Sequence, residues 1–172
     1  MTPPPLAERD DFRMRLFQHV WRDELDDIFV DVAPYYDRAN VVASLGLWHW
    51  FSSRFMAMID LKPEMRVLDV CAGTNAVGIA LLKREPTLKI SAIDRSASMQ
   101  QVGQARARTL GFEIESTIGD AHVLPFPDNH FDLVTLQWAS RHLRVQSLFR
   151  EIHRVLKPGG HFHHCDMLRP GH

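Results

Sequence analysis

The stretch Arg66-Val67-Leu68-Asp69-Val70-Cys71-Ala72-Gly73-Thr74-Asn75 decides the fold. Its first half reads as a short apolar strand. Its second half shrinks to small residues, which marks a tight turn. Behind the turn, Val77, Ile79, Ala80, Leu81 and Leu82 are the apolar residues of a helix. A strand feeding a helix in this way opens a βαβ unit.

The chain then repeats the alternation. Leu88 to Ile93 is a second strand that stops at Asp94, and Ser96 is placed to cap a helix running to about Leu110, with Gly111 closing it. Phe112 to Ile118 alternates as a third strand. Asp132 to Gln137 forms a fourth, a helix spans Val145 to Leu156, and Gly160 to Asp166 is a fifth strand entered through Lys157-Pro158-Gly159-Gly160. Strands alternating with helices predict the α/β class: a three-layer, Rossmann-like, mostly parallel sheet with helices on both faces. In such sheets ligands bind outside the carboxyl ends of the strands. Those ends carry Asp69 to Asn75, Asp94, Gly119 to His122, and Gln137 to Arg141.

Before residue 61 the texture differs. Pro3, Pro4 and Pro5 predict an extended tail, and Phe12, Leu16, Val20, Trp21, Leu25 and Ile28 recur at helical spacing. Pro34 stops that segment. A second helical region from about Asp37 to Ile59 carries Leu45, Trp48, Phe51, Phe55 and Ile59, with Gly46 dividing it. The chain therefore divides into a helical cap region, 1–60, and a Rossmann-like core, 61–172, within one compact domain.

Composition bounds the function. The 172 residues carry a net charge of −1, with 45% hydrophobic and 24% charged residues. This balance lacks the basic footprint of a nucleic-acid partner. The two cysteines, Cys71 and Cys165, cannot build a disulfide framework, and no apolar run reaches the roughly 20 residues of a spanning helix. The N-terminus lacks a secretion-signal layout, so the chain reads as cytoplasmic.

The strand ends suggest a nucleoside site. Gly73 lets backbone approach a ligand, and Asn75 tolerates a left-handed conformation. Asp94, about 20 residues past the turn, is placed for a ribose diol; its structural alternative is a helix-start carboxylate. Asp120-Ala121 fits an exocyclic amine of adenine, or else an Asx turn. The dinucleotide pattern G-x-G-x-x-G is absent, because Cys71 and Asn75 stand near the glycine positions.

With these residues in place, the sequence resembles the class I S-adenosylmethionine methyltransferases, and within them the quinone-biosynthesis C-methyltransferases. The resemblance rests on Val32-Ala33-Pro34-Tyr35-Tyr36-Asp37-Arg38-Ala39-Asn40, VLDVCAGTN (67–75), AIDRSASM (92–99), GDAHVLPFPDNHFDLVTLQWASRHL (119–143) and RVLKPGG (154–160). It implies S-adenosyl-L-methionine as cofactor and a prenylated quinone precursor such as demethylmenaquinone as acceptor. By position it implies Thr74, Asp94, Asp120, Ala121 and Gln137 as cofactor contacts. Asp69 and Gly73 would shape the turn for the methionine end, and Tyr36 would close over the cofactor. Arg141 and His142 stand where the family has an Arg-Asn pair beside the substrate ring. A guanidinium stays protonated and suits an oxyanion, whereas an imidazole can accept a proton near neutrality. Alternatives are a methyltransferase for another phenolic acceptor, or a silent subunit that assembles with a partner.

Three departures from the family accompany the match: Cys71, Asn75 and Ala76 in the turn, His142 in place of Asn, and an ending at His172 without the last two strands. An unpaired sheet edge predicts a homodimer or a partner subunit. His161, His163 and Cys165 share one face of the fifth strand, but that strand is expected to be internal and no closed ligand set is evident, so no metal is assigned. The aromatics Trp48, Trp50, Phe51 and Phe55 are either core or the roof of the acceptor pocket, and a lipid-borne acceptor tail fits contact with the inner membrane periphery.

Overall fold

The computed structural model describes residues 30–166; the proline tail and the apolar stripe from Phe12 to Ile28 lie outside them. After a turn at Ala33–Tyr35, helix α1 spans Tyr36–Ala43 and α2 spans Leu47–Ala57. Gly46 separates the two at a φ of 84°, where the lack of a Cβ removes the strain of the left-handed region. Then follow β1 (Arg66–Val70), α3 (Ala76–Arg84), β2 (Lys89–Asp94), α4 (Ala97–Thr109), β3 (Glu115–Ile118), β4 (Phe131–Gln137), a 3₁₀ turn (Ser140–His142), α5 (Val145–Val155) and β5 (Leu156–Cys165).

The five strands form one sheet in the order β3-β2-β1-β4-β5, and every pairing is parallel. The chain winds outward from β1 through β2 to β3, then returns to the other side of β1 for β4 and β5. That reversal is the switch point where a crevice opens above the strand ends.

β1 lies at the centre, and its residues Val67 to Val70 are buried. Val67 faces a core built with Phe55 and Met56 of α2, Ile59 just after it, Ile79, Leu81 and Leu82 of α3, and Ala107 of α4. Leu68 and Val70 face the opposite core, built with Val134 and Leu136 of β4 and Leu148, Ile152 and Val155 of α5. The alternation of a strand supplies both faces, which produces the three layers.

Two strands depart from their expected extent. β3 begins at Glu115, because the Phe112 amide is already used to close α4 on the Ala107 carbonyl, with Gly111 at a φ of 77°. β5 begins at Leu156 and passes Gly159 (φ 78°) with an irregular register against β4 between Phe131 and Leu133. β5 is also not internal: among the described residues it is one of the two edge strands, and His161 and His164 are exposed.

Helix α4 approaches the turn after β1 at Gly103, where an added Cβ would stand 2.6 Å from the Thr74 carbonyl carbon and 2.8 Å from Asn75 Nδ2. The Gly103→Ala variant should therefore lower the denaturation midpoint. Better helix propensity contributes about 1 kcal/mol, and the overpacking against rigid backbone costs about 1–3 kcal/mol. A midpoint at or above that of the wild type in urea would show that the approach is looser than this.

Candidate active site

The turn after β1 is built from left-handed residues. Cys71, Gly73 and Asn75 have φ values of 55°, 52° and 55°. Only Gly73 adopts this conformation without a side-chain penalty, while Asn75 is a residue type that tolerates it. The Asn75 side chain is fully buried, and its Oδ1 accepts from Gln100 Nε2 at 3.0 Å. The same Gln100 nitrogen donates to the Gly73 carbonyl at 3.0 Å, and the Ser116 hydroxyl donates to Gln100 Oε1. Gln100 thus ties the turn to α4 and β3. It escaped the sequence reading; its one signal was a polar residue next to Met99 on the inward side of a helix.

The turn and the second strand meet on Asp94. Its Oδ2 accepts from the Gly73 amide at 2.7 Å and its Oδ1 from the Ser96 amide at 2.8 Å. The helix-start reading of this residue is met by the Ser96 amide at the beginning of α4, and the same carboxylate lines the crevice. Ser96 caps α4 as expected, accepting from the Met99 amide at 3.3 Å.

Asp120 forms an Asx turn, accepting from the His122 amide at 2.8 Å, and His122 Nδ1 lies 2.6 Å from the same oxygen. His122 Nε2 accepts from the Arg144 amide at 3.0 Å, which assigns the ring proton to Nδ1. Desolvation works to raise the Asp120 pKa, but the His122 amide, the His122 side-chain hydrogen bond and the Arg144 charge outweigh it, so the group lies below the usual carboxylate range.

Asp69 is of a different kind. It is fully buried at the base of the crevice, and desolvation raises its pKa to about 7, opposed by the Thr135 hydroxyl at 2.8 Å and less by the Gly78 amide. Its Oδ2 makes no hydrogen bond of ordinary geometry. The neighbouring Cys71 thiol is pushed well above its ordinary value by burial and by the carboxylates of Asp94, Asp69 and Asp120, which keeps it a thiol and not a nucleophile.

All ten residues singled out from the sequence, namely Tyr36, Asp69, Gly73, Thr74, Asp94, Asp120, Ala121, Gln137, Arg141 and His142, line a single cavity of about 600 Å³. One of them also ties the cavity to α1. The buried Thr74 hydroxyl donates to Asp37 of α1, at 2.9 and 3.0 Å to its two oxygens, because a buried hydroxyl must find an acceptor. Asp37 also pairs with Arg106 of α4, so α1 is latched to the core at the cavity mouth. Sequence reasoning quoted Asp37 within its block and gave it no role.

The far side of the cavity follows β4. Trp138, at a φ of 61°, turns back so that its ring stacks on Trp48 of α2 at 5.0 Å, with Phe51 edge-on at 6.1 Å. Gln137 reaches Ser52 of α2 at 3.4 Å. Trp48 and Trp138 both line the cavity, so the helices before β1 roof it with aromatic surface. Arg141 Nη1 donates to Asp166 Oδ1 at 2.6 Å, and the Asp166 side chain is only 1% exposed. Asp166 was not singled out in the sequence. Carboxylates thus stand over β1, β2 and β3, while the guanidiniums of Arg141 and Arg144 follow β4. Arg95 also lines the first of these ends, and at the other Arg141 is paired with Asp166. Among the described residues, no group of three or more His, Cys, Asp and Glu side chains is arranged to hold a metal ion.

Comparison with known proteins decides the family. The model of the ubiE/COQ5 methyltransferase family matches residues 18–171. The chain belongs to that family. It is 35% identical over 148 residues to a demethylmenaquinone methyltransferase of Symbiobacterium thermophilum, covering 84% of this chain and 59% of the relative. It is 36% identical over 152 residues to a 2-phytyl-1,4-naphtoquinone methyltransferase of Synechococcus elongatus, covering 86% and 65%. The chain therefore spans about three-fifths of the length of these curated relatives. Among solved structures, the YcgJ protein of Bacillus subtilis superposes with a TM-score of 0.61 at 32% identity, over 66% of this chain and 49% of that one. The geranyl diphosphate C-methyltransferase of Streptomyces coelicolor, solved with S-adenosyl-L-homocysteine, superposes with a TM-score of 0.64 over 71% and 47%; at 21% identity it shares the fold.

The buried Asp69 makes stability depend on pH. Its folded-state pKa of about 7 lies above its ordinary 3.8. The folded state therefore holds a proton that the unfolded state has released, and stability should fall as pH rises from about 4 through about 7. Asp69→Asn should remove this slope, which amounts to a few kcal/mol at most. Urea unfolding of both proteins at pH 5 and pH 8 checks it, and equal slopes would contradict the assignment.

Proposed function

We propose that this protein is an S-adenosylmethionine-dependent C-methyltransferase acting on a prenylated quinone precursor of the demethylmenaquinone kind. The observation that carries the reading is the cavity itself. Its carboxylate-bearing end is held rigid by backbone amides on Asp94, and its guanidinium end lies under an aromatic roof. Family membership and relatives named for quinone methylation support the acceptor class.

The residues present fit the cofactor. Asp94 is clamped where a ribose diol would meet it, and Asp120-Ala121 follows at the end of β3 for the base. Asp69, buried at the base of the turn, shapes that turn for the methionine end of the cofactor. Gly73 keeps the turn free of a side chain, and Tyr36, Thr74 and Gln137 complete the wall. When bound, the cofactor supplies an electrophilic methyl group on a sulfonium.

The chain's own part is placement and charge. Arg141 stabilises the oxyanion of an acceptor whose ring hydroxyl has lost its proton, since a guanidinium cannot itself act as the base at working pH. His142, exposed at the cavity rim, takes that proton, directly or through water. Trp48 and Trp138 exclude water from the ring and give it a flat surface. Residues 1–60 act as the cap and 61–172 as the cofactor-binding core.

Two outward features accompany the reading. Leu45, Val42, Leu47 and Trp50 are exposed on α1, α2 and the turn between them, which suits contact with the membrane surface that holds a prenyl tail. No helix among the described residues is long and apolar enough to cross a membrane. The outer edge of β5 suits association with a second copy or a partner subunit. Sedimentation equilibrium should then give a mass above that of one chain, and a single-chain mass at high concentration would count against association with a second copy.

Calorimetry with S-adenosyl-L-methionine, followed by methyl transfer to demethylmenaquinol analogues of increasing tail length in vesicles, tests the function. Binding and turnover are expected. Asp94→Asn should weaken cofactor binding about tenfold or more, as the loss of a charged hydrogen-bond acceptor does. A wild-type protein that neither binds the cofactor nor methylates any quinol would overturn the proposal.

A further inference from the structure

Behind Arg141 lies a line of hydrogen bonds that leads away from the cavity. Asp166 Oδ1 accepts from Arg141 Nη1 at 2.6 Å. Its Oδ2 accepts from the Ser140 hydroxyl at 2.8 Å and from the Arg141 amide at 3.1 Å. The Ser140 oxygen is in turn 2.9 Å from His164 Nε2. Asp166 and Ser140 are buried, so their polar atoms have no water to fall back on. His164 sits on the exposed side of β5, its ring parallel to Phe162 at 5.8 Å and edge-on to Phe149 of α5 at 5.9 Å. Three elements meet here: the 3₁₀ turn after β4, the end of β5, and α5.

We propose that His164 and Ser140 are positioning residues for Arg141, acting through Asp166. The reasoning is one of degrees of freedom. An arginine on a short 3₁₀ turn has a long side chain whose planar head must be aimed to within a fraction of an ångström to serve an oxyanion. Asp166 aims it, but a carboxylate at the very end of an edge strand needs its own orientation fixed. The Ser140 hydroxyl does so on Oδ2. A hydroxyl rotates freely unless its acceptor side is also engaged, and His164 Nε2–H engages it. The aromatic stack on Phe162 and Phe149 then holds the imidazole ring. The same logic orients the imidazole of a hydrolase triad by a buried carboxylate. Here the oriented group is the guanidinium.

The inference deepens the proposed reaction and rests on it for its kinetic consequence, so two readouts are needed. The first requires no turnover: ¹⁵N–¹H spectra of the Arg141 guanidinium report whether rotation about its Nε–Cζ bond is restricted. Slow exchange is expected in the wild type and faster exchange in Ser140→Ala and in His164→Phe, which keeps the aromatic stack and removes the hydrogen bond. His164→Gln, whose side-chain amide can still donate to Ser140, should restore most of the restriction. The second readout is kinetic. His164→Phe and Ser140→Ala should lower kcat about tenfold, as loss of an outer orienting partner does. KM for the cofactor should hold, and His164→Gln should recover most of the loss.

Unchanged Arg141 exchange in both Ser140→Ala and His164→Phe would overturn the proposal whether or not the protein methylates quinols. Absence of methyl transfer by a wild type whose Arg141 is ordered would instead overturn the proposed reaction and leave the positioning role standing. Equal loss of order and rate in His164→Gln and His164→Phe would also overturn it, because the hydrogen bond would then not be what His164 contributes.

Discussion

Two backbone amides converge on one carboxylate, and much of the molecule follows from that. Gly73 donates from the turn after β1 and Ser96 from the start of α4, both to Asp94. The contact joins consecutive βα units at the carboxyl edge of the sheet, beside the backbone bond from the Ala72 amide to the Ile93 carbonyl. It requires Gly73 in a left-handed conformation and a close approach of α4 at Gly103. Gln100 secures the same turn from within. A carboxylate so held is expensive to reorient and is therefore already placed for a ligand.

The opposite wall is held by a different economy. Over β4 there is no glycine turn; instead Trp138 folds back on Trp48, and Arg141 is anchored to Asp166 at the end of β5. Anchoring the cationic wall through the strand beyond β4 couples the sheet edge to the site. The helices before β1 close the top through Asp37, which joins Thr74 and Arg106. The cavity thus has an acidic floor, a basic flank and an aromatic roof, each supplied by a separate part of the chain.

Buried charge is used sparingly. Asp69 sits at the base of the crevice with an elevated pKa of about 7, whereas Asp120, in its Asx turn beside His122, lies below the usual range. Two carboxylates at the ends of β1 and β3 are thereby given opposite tendencies, by desolvation in one case and by the His122 hydrogen bonds and the Arg144 charge in the other. A cation entering the crevice would meet a neutral or charged Asp69 depending on pH, and a charged Asp120 throughout the neutral range.

The sequence by itself determined the alternation of strands and helices, the left-handed tolerance of Asn75, the caps at Ser96 and Gly111, and which residues stand at the strand ends. These are local matters: periodicity, turn chemistry and capping depend on near neighbours along the chain. It did not reveal that Thr74 would turn to Asp37, that Gln100 would hold the turn, that β3 would start only at Glu115, or that β5 would lie at the edge with His164 outward. Only the tertiary structure decided those, because each depends on which distant group arrives within hydrogen-bonding distance of a buried polar atom. Asp37 and Thr74 stand 37 positions apart and Arg141 and Asp166 25, and the sequence between them carries no signal of the contacts at its ends.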